Sequence, residues 1–164
     1  NMFNFLIGGN GFIIEYPPLS ANYRQMGWGE NILLSVPLDS MKCQRVGIAV
    51  PIPDRYSLDS AEVEIVKQSV HDYNSIVIQK ANEYNLAFAD MNSFFNSVIS
   101  GIKWNGADFN AEFISGGFYS LDGYHPNQKG YALIANEFIK AINAKYGATL
   151  PPVNCFECDG ILFP

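Results

Sequence analysis

The sequence predicts an α/β fold of three-layer character, with helices packed on a mostly parallel sheet and a β-rich first third attached as an insertion or hairpin element. Three observations carry this. Apolar residues recur at helical spacing through residues 60–84. A short apolar run, 86–90, follows at once, and a helix feeding into a buried strand is the αβ half of a parallel unit. An amphipathic helix with start and stop signals then occupies the region after Pro126.

Taken in order, residues 3–7 and 12–16 are short apolar runs, and Gly8-Gly9-Asn10-Gly11 between them has the residues of a tight turn. Pro17-Pro18 ends the second run. Residues 31–36 make a third strand, stopped by Pro37. Asp59 and Glu62 have capping-box spacing, so a helix should start near Ser60. Val63, Val66, Val70, Tyr73, Val77, Ala81 and Tyr84 should form its buried face. A shorter helix is expected over 93–99, ended by Gly101. Residues 101–124 are rich in Gly, Asn and aromatics and suggest an irregular excursion. The last helix should begin at Pro126 or Asn127, bury Tyr131, Ile134, Ala135, Phe138 and Ile142, and end at Gly147. Residues 151–164 should be an extended tail packed over the surface. The whole is one domain, 1–164, with a β-rich element (1–56), an α/β part (57–150) and the tail.

Composition supports a packed chain and excludes several roles. Of 164 residues, 48% are hydrophobic and 14% aromatic, enough for a core, while 16% charged argues against disorder. The net charge of −6, with no basic stripe, offers nothing to phosphate backbones, so no nucleic-acid partner is expected. No apolar run reaches the ~18 residues of a membrane span. The first residue is Asn1 and no signal-type segment follows, so the chain is expected to start after processing or partway through a longer protein. Cys43, Cys155 and Cys158 are an odd set. The lone Cys155-x-x-Cys158 could be plain thiols, a local disulfide, or a metal or redox pair, although no second ligand pair stands nearby for zinc.

Chemistry concentrates in Ser120-Leu121-Asp122-Gly123-Tyr124-His125-Pro126. Gly123 permits a tight turn that brings the Asp122 carboxylate to the His125 imidazole. A carboxylate on one ring nitrogen fixes the tautomer and leaves the other to accept a proton from a nucleophile. The same residues could equally be an Asx-type turn capping a helix, with His125 on the surface.

The segment, continued by Asn127-x-x-Gly130-Tyr131 and the helix to Tyr146, resembles the D-x-x-H-P block before the C-terminal helix of SGNH/GDSL hydrolases. More loosely, the chain is similar to the C-terminal part of lipase/acylhydrolase-type members from Bacteroidetes, through Val50-Pro-Ile-Pro-Asp-Arg-Tyr56 and Gly116-Gly-Phe-Tyr-Ser-Leu-Asp-Gly123. The resemblance implies an SGNH-hydrolase-like (flavodoxin-like) partial domain. It makes Asp122 the orienting acid and His125 the general base of a Ser-His-Asp triad. It also implies a small-molecule, glycan or lipid ester substrate, no metal or organic cofactor, and export from a bacterial cytoplasm.

The chain departs from that pattern at the nucleophile. No Gly-Asp-Ser occurs; Leu-Asp-Ser occurs at 38–40 and 58–60. Ser40 is better read as a strand-end turn and Ser60 as a helix start. Asn10 mimics the family's oxyanion asparagine, but Gly11 stands where an aspartate belongs, and a hairpin turn is the more economical account. The nucleophile block is therefore expected outside this chain, in a missing N-terminal part of the same protein that would be its partner, and the chain alone is expected to be inactive. His71-Asp72 belongs to a solvated helix face, and Asp90 either caps a helix or ends a strand at a site. The aromatics of 104–124 could line an acyl or sugar pocket or form a small core under a loop. The alternative functional reading is a non-catalytic ligand-binding or accessory module; a C-x-x-C redox protein is a third.

Overall fold

The computed structural model describes residues 11–18 and 22–161, and the chain divides into two compact units, Asn1–Ile76 and Val77–Pro164. In the first unit, β1 (Ile13–Glu15) pairs antiparallel with β2 (Tyr23–Gln25), Ile14 opposite Arg24. On its other edge β1 meets residues 47–52. Ile13 N–H donates to Gly47 C=O (2.8 Å), Ile52 N–H to Ile13 C=O (2.8 Å) and Glu15 N–H to Ile52 C=O (2.9 Å). An isolated parallel bridge joins Ile14 and Ile52. With both edges occupied, Ile14 and Ile52 are fully buried and form a small core with Val36. Residues 3–7, expected as the hairpin partner of 12–16, lie outside the described residues; the partner seen is β2.

The third strand is shorter than expected. β3 (Asn31–Ile32) pairs with β4 (Ser57–Leu58), and then Val36 N–H closes a turn on Leu33 C=O (3.1 Å). Pro37 opens a short helix, α1 (Leu38–Cys43), so Ser40 is helical rather than a strand-end turn. Arg24 and Glu30 form a two-bond ion pair (2.5 and 2.7 Å), and Gly27 N–H also donates to Glu30 (2.7 Å). The Arg24 hydrogen bond, against the opposing effect of burial, holds the Glu30 carboxyl at about 2, below its ordinary 4.5.

Helix α2 (Ser60–Glu83) starts at the expected capping box. Glu62 N–H donates to Asp59 (2.9 Å) and Asp59 N–H to the Glu62 carboxylate (2.9 Å). Of its expected buried face only Val63 and Ala81 are buried; Val66, Val70, Tyr73, Val77 and Tyr84 are exposed. Ile65, Ile76 and Ile78 lie off that stripe, so the apolar residues do not form one narrow face.

In the second unit, residues 86–90 follow α2 but join no ladder. Asn85 takes a left-handed conformation (φ 54°), Leu86 N–H returns to Ala81 C=O (2.8 Å), and Ala87 N–H donates to the Tyr146 hydroxyl (3.0 Å). A helix cap and a side chain thus take the bonds a neighbouring strand would have taken. Among the described residues every named strand pair is two-stranded and antiparallel. Asp90 resolves to a cap: it accepts from Ser93 N–H (2.9 Å) and Ser93 Oγ–H (2.7 Å), so α3 runs Met91–Ser100, two residues earlier than expected.

The excursion contains a hairpin, β5 (Ile102–Trp104) and β6 (Ala107–Phe109). Asn105 (φ 45°) and Gly106 (φ 86°) make its turn, a pairing that favours positive φ at both positions. The unit's core is Val98, Phe109, Phe118, Ala132, Leu133 and Cys155. α4 (Gln128–Tyr146) ends at left-handed Gly147. Its buried residues are Gly130, Ala132, Leu133 and Asn136, not the expected stripe; Tyr131 and Phe138 are exposed. The face differs because the tail binds polar residues. Asn136 exchanges two hydrogen bonds with Val153 (2.6 and 2.9 Å) and Asn143 two with Leu150 (both 2.9 Å). The tail is therefore partly core, with a 3-10 turn at Cys155–Glu157 and Cys155 fully buried; all three cysteines are free thiols.

Candidate active site

The site is a turn between β6 and α4, held by the backbone on both sides. Tyr119 and Pro126 form an antiparallel bridge. Ser120 N–H donates to His125 C=O (2.8 Å), and Gly123 N–H donates to Ser120 C=O (3.0 Å). Gly123 has φ 70°, where an L side chain is strained. Pro126 lies just before the helix rather than in its first turn; Asn127 is the cap, accepting from Gly130 N–H (2.9 Å). The Asn127 amide also donates to Gly117 C=O (3.0 Å) and Tyr119 C=O (3.3 Å), tying the preceding segment to the helix start.

Within this turn Asp122 and His125 meet. His125 Nδ1 lies 2.6 Å from Asp122 Oδ2. A carboxylate can only accept, so the ring proton sits on Nδ1, and Nε2 becomes the nitrogen able to take a proton. Asp122 Oδ1 accepts three further bonds, from Ser120 Oγ–H (2.7 Å), Tyr124 N–H (2.9 Å) and His125 N–H (2.9 Å). The His125 bond, then that of Ser120 and the two backbone bonds, hold the Asp122 carboxyl well below the ordinary carboxylate range. The imidazole is 64% exposed and packs edge-on to Tyr124, ring centroids 4.9 Å apart.

Two hollows flank the pair. One of about 370 Å³ is lined by His125 with Phe95, Tyr119, Tyr124 and Pro126. The other, about 460 Å³, has Asp122 with Leu121, Tyr131 and the tail's Ile161. Only the first contains the imidazole, so it is the one placed for chemistry. The aromatics of the excursion thus divide: Phe109 and Phe118 are core, while Tyr119 and Tyr124 face the His125 hollow.

The other candidates fall elsewhere. Ser40 lies on α1 and Ser60 opens α2, both in the first unit; Asn10 lies outside the described residues. His71 stays on an exposed helix face, 3.5 Å from Asp72 Oδ1. Sequence reasoning missed Ser120 and Asn127. Ser120 had no signal beyond its place two residues before Asp122. Asn127, directly after His-Pro and three residues before Gly130, carried a capping signal that was readable.

The model of the GDSL-like lipase/acylhydrolase family matches residues 14–138, most of the chain and the whole Asp122–His125 turn, and the chain belongs to that family. No curated protein and no solved structure matches it. The family is one of α/β hydrolases acting on small esters. No helix among the described residues is long and apolar enough to cross a membrane.

Proposed function

We propose that this chain supplies the base and orienting acid of a serine ester hydrolase whose nucleophile block lies outside it, as the C-terminal part of an SGNH-like domain. The observation that carries the reading is the 2.6 Å Asp122–His125 contact, opening on the aromatic hollow inside the family-matched stretch. The complete domain would have the three-layer, flavodoxin-like sheet to which the 1–56 element is an addition. Absence of any Gly-Asp-Ser from the sequence supports a nucleophile supplied from elsewhere.

In the complete site a serine hydroxyl attacks the ester carbonyl as His125 Nε2 takes its proton. The tetrahedral intermediate expels the alcohol, which leaves with that proton, and water then hydrolyses the acyl-serine by the same exchange. Asp122 keeps the imidazole in the Nδ1–H tautomer and stabilises the imidazolium. The aromatic hollow on the His125 side suits an apolar or ring-shaped leaving alcohol, since the imidazole must reach the leaving oxygen. Donors outside this turn would hold the oxyanion.

The test is hydrolysis of p-nitrophenyl acetate by the chain and its His125→Ala variant. Equal rates are expected, because triad members act as a unit and a base without its serine contributes little. Clear His125-dependent turnover would overturn the missing nucleophile and point to Ser40. A Gly-Asp-Ser block encoded upstream of Asn1 would support the reading; an open reading frame continuing upstream without one would count against it.

A further inference from the structure

We infer that Ser120 is a positioning residue of the Asp122–His125 pair: its hydroxyl pins one carboxylate oxygen so that the other faces the imidazole. The inference rests on the proposed triad role of that pair. A carboxylate turns easily about its Cβ–Cγ bond, and its two oxygens are equivalent until something distinguishes them. Here the distinction is complete. Oδ1 accepts from Ser120 Oγ, Tyr124 N and His125 N, whereas Oδ2 accepts from His125 Nδ1. The two backbone donors come from residues following Asp122, and Ser120 supplies the side-chain donor from before it.

Ser120 is itself fixed by the turn it braces. Its N–H is bonded to His125 C=O and its C=O to Gly123 N–H, so its hydroxyl is carried on a rigid frame. The geometry also says what Ser120 does not do. Its hydroxyl donates to the carboxylate rather than to the imidazole, so it is not placed to give its proton to His125 as a nucleophile would. The hydrogen bonds that hold the Asp122 carboxyl below the ordinary carboxylate range include that of Ser120, second after His125.

The experiment uses the full chain and NMR, with only two histidines, His71 and His125, to assign. Ring ¹⁵N shifts report the tautomer of neutral His125, and the Asp122 carboxyl ¹³C signal reports its titration. In the wild type the Nδ1–H form should dominate. Ser120→Ala should shift the tautomer ratio towards Nε2–H by between about twofold and tenfold, the worth of one hydrogen bond. It should also raise the Asp122 midpoint, with far-UV circular dichroism unchanged. Ser120→Thr, which keeps the hydroxyl, should match the wild type, and Ser120→Cys should follow the alanine variant. If Asp122→Asn alters the tautomer ratio while Ser120→Ala and Ser120→Cys leave both signals unchanged, the positioning role is refuted and the pair stands. If Asp122→Asn leaves the ratio unchanged too, the triad reading itself fails. Covalent labelling of Ser120 by a fluorophosphonate would make it a nucleophile and overturn the inference.

Discussion

Asn127→Ala should destabilise the second unit by about 2–3 kcal/mol and loosen the Asp122–His125 turn with it. Asn127 is 8% exposed and its side chain makes three hydrogen bonds. Loss of the cap to Gly130 costs about 1 kcal/mol. Each amide bond to a main-chain carbonyl contributes roughly 0.5–1.5 kcal/mol, the 3.3 Å bond to Tyr119 being the weaker of the two. The backbone bond from Asn127 N–H to Phe118 C=O (2.9 Å) survives, so the preceding segment and the helix stay connected. Asn127→Ser separates the contributions: it keeps a cap acceptor but cannot reach both carbonyls, and should lose about 1–2 kcal/mol. Asn127→Asp keeps the cap and sets a carboxylate against two carbonyls, and should be worse than serine. Urea unfolding followed at 222 nm is the assay. With a denaturant slope of about 1–3 kcal/mol/M, the alanine midpoint should fall by roughly 0.7–3 M. An alanine variant within about 0.5 kcal/mol of the wild type, or one equal to the serine variant, would refute this account of how the turn is anchored.

Two other stability tests address the rest of the chain. Glu30 is held at about 2 against an ordinary 4.5, so its ion pair contributes fully above pH 4.5 and is lost as pH falls through about 2. The shift corresponds to about 3 kcal/mol at most, and partial exposure of Arg24 (32%) reduces that to about 1–2. Stability measured from pH 5 to pH 2 should therefore fall more for the wild type than for Glu30→Gln, and parallel profiles would contradict the pairing. Gly130→Ala should lose about 1–3 kcal/mol, although alanine is the better helix former, because the new Cβ would stand 2.4 Å from Phe118 O and 2.8 Å from Pro126 Cβ. A gain in urea midpoint would show that the helix start is less tightly packed than the structure places it.

Legibility followed the range of the interaction. The Asp59–Glu62 box, the Asp90 cap and the Gly147 stop each depend on residues within one turn, and each was readable. The Asn105-Gly106 turn is equally local, but the glycines and aromatics around it mask its signal. The buried helix faces depart from the apolar pattern where a polar residue has a distant partner. Asn136 counts as solvent-facing in any pattern, yet it is 4% exposed because Val153, 17 residues on, supplies both a donor and an acceptor. Residues 86–90 have the composition of a buried strand, but their backbone groups meet a helix cap and the Tyr146 hydroxyl instead of a neighbouring strand.

The sequence alone marked Asp122 and His125 as a candidate pair, since three residues and a glycine allow carboxylate and imidazole to meet in one turn, but it fitted an Asx-type turn with an outward histidine equally well. Tertiary structure decided what that turn is worth. It placed Phe95 and Tyr119 beside the imidazole and tied Asn127 to the carbonyls of Gly117 and Tyr119. Those choices depend on which distant groups the fold brings together, and spacing along the chain carries no record of that.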